Sequence, residues 1–382
     1  MNLKKKWQSC MTVIIFCLLI FGFAAITIVN PPSEFSETEN RVLARRPELK
    51  TEAIIDGDFQ TNYEEYLADQ FVWRNQWIGF KTLVERALLK RESKDIYFAE
   101  DGYLIEKHTG SFTTKTASRN IAALSEFVQR YKEQFGTGHV TVLIAPNAVE
   151  ILQDKLPPFA PASGESGYLE QIAQDLPEDV WFDAASVLRK HMDEELYYRT
   201  DHHWKNLAAF YVYQAWAERQ GYSIPEFADY EVQTVTDCFE GTVQSKLGIP
   251  SAGDSIELFF QIQESSCTVY KESTGKTENS LYDFEALNTK DKYAVYFGGN
   301  EPFMKIRTEA ENGVKILVIK DSYANCFIPF MLGEFEEIDV LDLRYTNQSL
   351  SERIVEGGYT DILVLYNASG FAEDMNILKL TN

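Results

Sequence analysis

The 382-residue sequence predicts an α/β domain on a parallel sheet, behind one N-terminal membrane-spanning helix. Three observations predict it. Buried-type strands such as 139–145 (HVTVLIA) and 315–320 (KILVIK) alternate with amphipathic segments, the pattern of a parallel sheet with helical crossovers. Residue types that carry chemistry fall where predicted strands end. Lys4, Lys5 and Lys6 precede an uncharged apolar run, Met11 to Val29, of 19 residues.

That run is long enough to cross a bilayer as a helix. The next basic residue is Arg41, so positive charge flanks only the N-terminal side, which predicts a cytoplasmic N-terminus and an extracytoplasmic bulk. The run exceeds a usual signal-peptide core, and Ala24-Ala25-Ile26 is not a small-x-small cleavage site, so an uncleaved anchor is the reading. The implied organisation is a cytoplasmic tail (1–10), an anchor (11–29), a stalk and helical packing segment (30–94) and a catalytic domain (95–382) with a β-rich insertion at 221–310.

The exported part holds 58 acids and 33 bases, a net charge of −25. That excludes nucleic acid, whose phosphates need basic partners, and argues against docking on anionic headgroups. Of five cysteines, Cys238, Cys267 and Cys326 lie outside the anchor. Cys238 and Cys267 are the pair favoured by position, though the sequence does not decide it.

Pro31-Pro32 ends the anchor helix. Asp58 to Arg91 reads as helical: Phe59, Tyr63, Tyr66, Leu67, Phe71, Trp73, Trp77, Ile78 and Phe80 include neighbours three and four residues apart, as if packing it onto the domain. Ile96–Phe98 and Tyr103–Ile105 around Asp101-Gly102 read as a hairpin. Thr116–Phe135 is an amphipathic helix, Val180–Asp183 a strand, and Trp204–Gln220 a helix stopped by Gly221. Further strands are predicted at 257–262, 293–297, 337–343 and 361–366.

Two short segments could carry chemistry. In Arg199-Thr200-Asp201-His202-His203-Trp204, Asp201 and His203 are two residues apart, so both side chains can face one side of a loop or strand. A general base needs its second ring nitrogen held by a carboxylate. The bland alternative is that Asp201 caps the following helix. In Lys320-Asp321-Ser322-Tyr323, Ser322 follows a strand and precedes a predicted helix rich in Phe327, Phe330 and Met331, where a serine is exposed and the free N–H groups of the helix N-terminus face a developing oxyanion. Taken alone, that segment is better explained as a cap. Gly299 and Asn300 follow another predicted strand and could add a donor to an oxyanion. Arg344 could bind a carboxylate or form a structural ion pair. The neighbours His202 and His203 cannot comfortably share one metal ion, and no third-ligand pattern appears, so no metal and no cofactor are expected.

These residues resemble the DHHW family, which is similar to the acetyltransferase domains of alginate O-acetylation within the SGNH hydrolase superfamily. The resemblance rests on Asp201-His202-His203-Trp204, with Glu39-Asn40-Arg41, Leu43, Pro47, Ile144-Ala145-Pro146-Asn147, Gly241-Thr242, Gly299-Asn300, Lys320-Asp321-Ser322-Tyr323 and Asp342-Leu343-Arg344-Tyr345 in matching order. It implies a flavodoxin-like α/β/α core and a triad of Asp201, His203 and Ser322, with the acid and base preceding the serine as in circularly permuted relatives. It supports His203 over His202 as the base. Lys320 stands where the usual Gly-Asp-Ser pattern has glycine. Trp204, Tyr323, His202, Asn300, Gly299 and Arg344 are the remaining oxyanion or substrate candidates.

The implied activity is O-acetylation of an extracellular or cell-wall polysaccharide, with acetyl groups supplied by a separate multi-pass membrane acyltransferase. Two other readings use the same residues: a carbohydrate acetylesterase, and a non-catalytic glycan-binding or export-complex adaptor.

Overall fold

The structure, a computed structural model, describes residues 3–36, 41–263 and 266–382. Glu39 and Asn40 of the resemblance lie outside the described residues. The chain divides into two compact units, one of residues 1–89 with 245–250, the other of 90–244 with 251–382.

In the first unit a helix runs Leu3–Val29, longer at its start than the predicted anchor. Its stretch Lys6–Val29 is long and apolar enough to cross a membrane. The helix predicted over 58–91 is broken into Asp58–Asp69 and Arg74–Ala87. The break falls at Trp73, which adopts φ 57°, a left-handed conformation no helix interior accepts. Phe71, Trp73 and Trp77 meet the Phe23 ring of the first helix, with centroids 6.1, 6.1 and 5.6 Å away. Gly79 lies so close to Gly248 that a Cβ would meet the Gly248 carbonyl oxygen at 2.2 Å, and Thr82 Oγ1 donates to Leu247 O at 2.9 Å.

The second unit is built on an eight-stranded sheet, in the order Lys276–Glu278, Cys267–Lys271, Phe303–Thr308, Glu337–Leu341, Lys315–Lys320, Asp361–Asn367, Val140–Ala145, Trp181–Phe182. The last five strands pair in parallel. The first three pair antiparallel. The sheet is therefore mixed, not parallel as predicted. The reason lies in 221–310: polar-rich strands of that segment join the sheet edge, where one solvated flank tolerates antiparallel pairing. The same segment also forms a separate ribbon, Tyr230–Phe239 against Asp254–Gln261. The strand predicted over 293–297 is instead a 3-10 turn, Lys292–Val295, with a single bridge between Tyr282 and Tyr296.

The parallel strands are buried along their length because each is apolar on both faces. Helix Lys115–Phe135 starts where Thr114 Oγ1 accepts the Ala117 N–H, and it packs on the C-terminal turns 368–381. Helix Asn206–Gln220 ends at Gly221, φ 75°, and lays Phe210, Tyr213 and Trp216 against Phe327 and Phe330. Cys238 and Cys267 are unbridged.

Candidate active site

Asp201 and His203 sit in a tight loop whose two stems are tied together. Tyr197 and Trp204 form an antiparallel bridge, and Lys205 N–H donates to Leu196 O at 2.8 Å. Asp254 fixes the approach to the loop, accepting from Arg199 N–H (3.0 Å), Thr200 N–H (2.8 Å) and Thr200 Oγ1 (2.5 Å). Within it, His203 N–H donates to Asp201 Oδ1 at 3.0 Å, so the carboxylate caps its own turn and still faces the ring. Gly241 presses against the loop, and a Cβ there would lie 2.3 Å from Asp201 Cβ. Only glycine permits that approach.

Ser322 follows the strand Lys315–Lys320 directly. The helix predicted after it is two 3-10 turns, Ser322–Cys326 and Ile328–Met331. Pro329 explains the change: it lacks an N–H, and its ring would clash with the carbonyl four residues back. The turn is held by Asp321, whose Oδ1 accepts Tyr323 N–H (2.8 Å) and whose Oδ2 accepts Asn367 N–H (2.8 Å). A single 3-10 turn carries little dipole, so any oxyanion site here rests on individual donors. The Ser322 backbone N–H has no acceptor among the described residues.

The two segments, 119 residues apart, meet in one line. Ser322 Oγ lies 2.8 Å from His203 Nε2, and His203 Nδ1 lies 2.5 Å from Asp201 Oδ1. His202 is not in this line. Its Nδ1 lies 2.7 Å from Thr242 Oγ1, and Thr242 donates its hydroxyl (3.0 Å) and N–H (2.8 Å) to Asp201 Oδ2. Because the hydroxyl hydrogen points at Asp201, His202 Nδ1 carries a hydrogen and donates to Thr242. The His203 ring is stacked 3.8 Å from the Tyr293 ring at 13°, and Tyr293 OH donates to Ser322 O at 3.2 Å.

Burial sets the charges. Burial alone would raise the Asp201 carboxyl, but the His202 and His203 rings and the Thr242 donors outweigh it and hold it well below the usual carboxylate range. Burial, aided by His202, holds His203 below the ordinary imidazole range, so the ring is neutral at pH 7. The His203 ring is therefore unprotonated and aligned with the serine hydroxyl.

The other expected residues fall into two groups. Trp204 and Tyr323 are fully buried and offer no surface to a substrate. They fasten the two segments instead: Trp204 Nε1 donates to Tyr323 O at 2.9 Å, and Tyr323 OH donates to His202 O at 2.5 Å. Arg344 makes a two-pronged ion pair with Asp342, Nε to Oδ1 at 2.9 Å and Nη2 to Oδ2 at 2.6 Å. Asn300 is exposed, and its Oδ1 accepts from Lys320 Nζ at 3.1 Å, which turns its NH2 group away from the lysine. Gly299 beside it takes φ 113°, open to glycine alone. Lys320 is buried, which lowers it to about 8 against the pull of Asp342. Its ammonium also donates to Asn325 Oδ1 at 2.8 Å. Asp201, His202 and His203 place ligand atoms within 4.8 Å of one another; both Asp201 oxygens, both His203 nitrogens and His202 Nδ1 are engaged with Ser322, Thr242 and each other.

Thr242, Tyr293 and Asp254 were not singled out from residue patterns. Gly241-Thr242 was the one available signal, through the resemblance.

The family described as "DHHW protein" matches residues 112–341. A DHHW family protein from Eubacterium siraeum is 25% identical with TM-score 0.63, over 76% of this chain and 96% of that one. PatB1 of Bacillus cereus, whose structure carries a sulfonyl adduct, is 23% identical with TM-score 0.61, over 74% and 98%. The O-acetyltransferase domain of Pseudomonas putida AlgJ is 12% identical with TM-score 0.44, over 73% and 92%. The comparison with curated proteins found no match.

Proposed function

The chain belongs to the DHHW family, and from that premise we propose that it is a membrane-anchored O-acetyltransferase acting on an extracytoplasmic polysaccharide. The observation that carries this reading is the continuous line Ser322–His203–Asp201, at 2.8 and 2.5 Å. In the first half-reaction Ser322 Oγ attacks the donor's acetyl carbonyl while His203 Nε2 takes the hydroxyl proton. Asp201 keeps Nδ1 protonated and stabilises the imidazolium. The Ser322 N–H and the Asn300 NH2 group are the donors for the tetrahedral oxyanion. Collapse breaks the bond to the leaving group, which takes the proton from Nε2 and leaves acetyl-Ser322.

In the second half a sugar hydroxyl gives its proton to His203 and attacks the acetyl carbonyl, and Ser322 regains a proton as it leaves. The N-terminal helix would hold the enzyme beside the multi-pass acyltransferase that supplies acetyl groups across the membrane. The test uses the full chain in detergent with p-nitrophenyl acetate and a polysaccharide acceptor. Acetyl-polysaccharide formed by the wild type and absent with Ser322→Ala is the expected result. Release of acetate alone, undiminished by acceptor, would turn the reading to an esterase. No labelling of Ser322 by a serine-directed sulfonyl fluoride would leave only a binding role.

A further inference from the structure

The helix Arg74–Ala87 buries only Gly79 and Thr82, on the face that meets 245–250. Its opposite face is apolar and uncovered. Trp73, Trp77, Phe80, Val84 and Leu88 follow at steps of four, three, four and four, which places them on one stripe. They are 56, 43, 60, 41 and 69% exposed. A soluble protein does not leave such a stripe facing water without a partner.

The membrane-spanning helix identifies the partner. Trp73 and Trp77 are in edge contact with Phe23, and Val72 N–H donates to Thr27 Oγ1 at 3.3 Å. Phe23 precedes the outer end of that helix, Val29, by about 9 Å at the helical rise of 1.5 Å per residue. Rings that touch Phe23 therefore reach the upper acyl chains just beneath the headgroups, the depth to which an interfacial helix inserts its apolar face. The sequence 74–91 also holds five bases, Arg74, Lys81, Arg86, Lys90 and Arg91, against one acid, Glu85, in an otherwise strongly acidic chain. Aromatic and aliphatic residues on one face with bases beside them make an interfacial helix that favours anionic lipid.

We infer that Arg74–Ala87 lies in the outer interface of the same bilayer the N-terminal helix crosses, its Trp73–Leu88 stripe inserted among lipid headgroups and upper acyl chains. This rests on the membrane-anchored reading and reverses, for this segment alone, the expectation drawn from net charge.

The test places the full chain in vesicles of phosphatidylglycerol and phosphatidylethanolamine with acyl chains brominated near the headgroup, and reads tryptophan quenching. Trp7→Phe removes the tryptophan of the anchor's N-terminal end. Brominated lipid should quench a clear share of the remaining emission, and the further change Trp73→Phe/Trp77→Phe should abolish that share. Trp77→Phe alone should remove part of it, a check that does not depend on the strained Trp73 position. The reciprocal chain, Trp73→Phe/Trp77→Phe with Trp7 present, reports the anchor, read with the same headgroup-proximal bromine, because Trp7 lies at the opposite end of the span Lys6–Val29. Quenching of Trp7 with none at Trp73 and Trp77 overturns the inference and leaves the anchor standing. Such a result would assign the stripe to a protein partner. No quenching of either overturns both.

Discussion

Thr242 gives both of its donors to one atom: its N–H and its hydroxyl reach Asp201 Oδ2 at 2.8 and 3.0 Å, while Asp201 Oδ1 is left to His203. This division orients the carboxylate edge-on to the imidazole. Thr242→Val keeps the shape and the N–H but removes the hydroxyl. A hydrogen bond to a charged group contributes about 1.5–3 kcal/mol. The expected outcome is a fall in kcat of roughly ten- to a hundredfold with KM unchanged, measured by acetyl transfer, and a melting temperature lowered by only a few degrees.

Ser322→Ala removes the proposed nucleophile and leaves the fastening bonds of Trp204 and Tyr323 in place. Turnover should fall about a thousandfold or more, while thermal unfolding stays near the wild-type midpoint. A variant that loses fold along with activity would contradict the separation of reacting and fastening residues.

His203 must be neutral to accept a proton, and burial holds it low, to about 4. The acid limb of kcat/KM should therefore lie well below the ordinary imidazole value of about 6.5. For stability, the unfolded histidine binds a proton below about 6.5 and the folded one does not. Its contribution is thus present above that pH and is lost as pH falls toward about 4. A rate profile with its acid inflection at 6.5 would count against this environment.

Glu165 behaves in the opposite sense. It is fully buried, its carboxylate accepts Asn147 N–H at 2.6 Å, and burial raises it to about 8. The folded group then stays protonated where the unfolded one is ionised. Its contribution is complete below about 4.5 and declines by about 1.4 kcal/mol per pH unit as pH rises toward 8. Glu165→Gln should flatten that decline, visible as a smaller fall in melting temperature between pH 5 and pH 8.

Gly241→Ala would place a methyl 2.3 Å from Asp201 Cβ and 2.6 Å from Thr200 O. Because the neighbours include backbone, the loop has to shift. A loss of roughly 2–3 kcal/mol in denaturant unfolding, together with reduced turnover, is expected.

Legibility varied with how local the determining force was. The strand Lys315–Lys320 was read to the residue, because an unbroken apolar run between polar ends has one solution in a parallel sheet. Helix Lys115–Phe135 was read to within a residue, from its apolar stripe and the glycine after it. The break at Trp73 was not legible, since the pattern of apolar residues continues across it and only a left-handed φ interrupts it. Nor were the antiparallel strands at the sheet edge, where half-polar sequences look like loops.

Local spacing could bring Asp201 and His203 to one side of a loop, because two residues of backbone determine that. It could also mark Ser322 as the residue where a buried strand meets a turn, and Met11–Val29 as a membrane-length run, because hydropathy over one segment is enough. Only the tertiary structure decided that Ser322 and His203, 119 residues apart, lie 2.8 Å from each other, and that Thr242 and Tyr293 complete their surroundings. Contacts at such separation depend on strand order and on which loops the sheet edge gathers, and these are set by the packing of the whole core, not by the periodicity of any one segment.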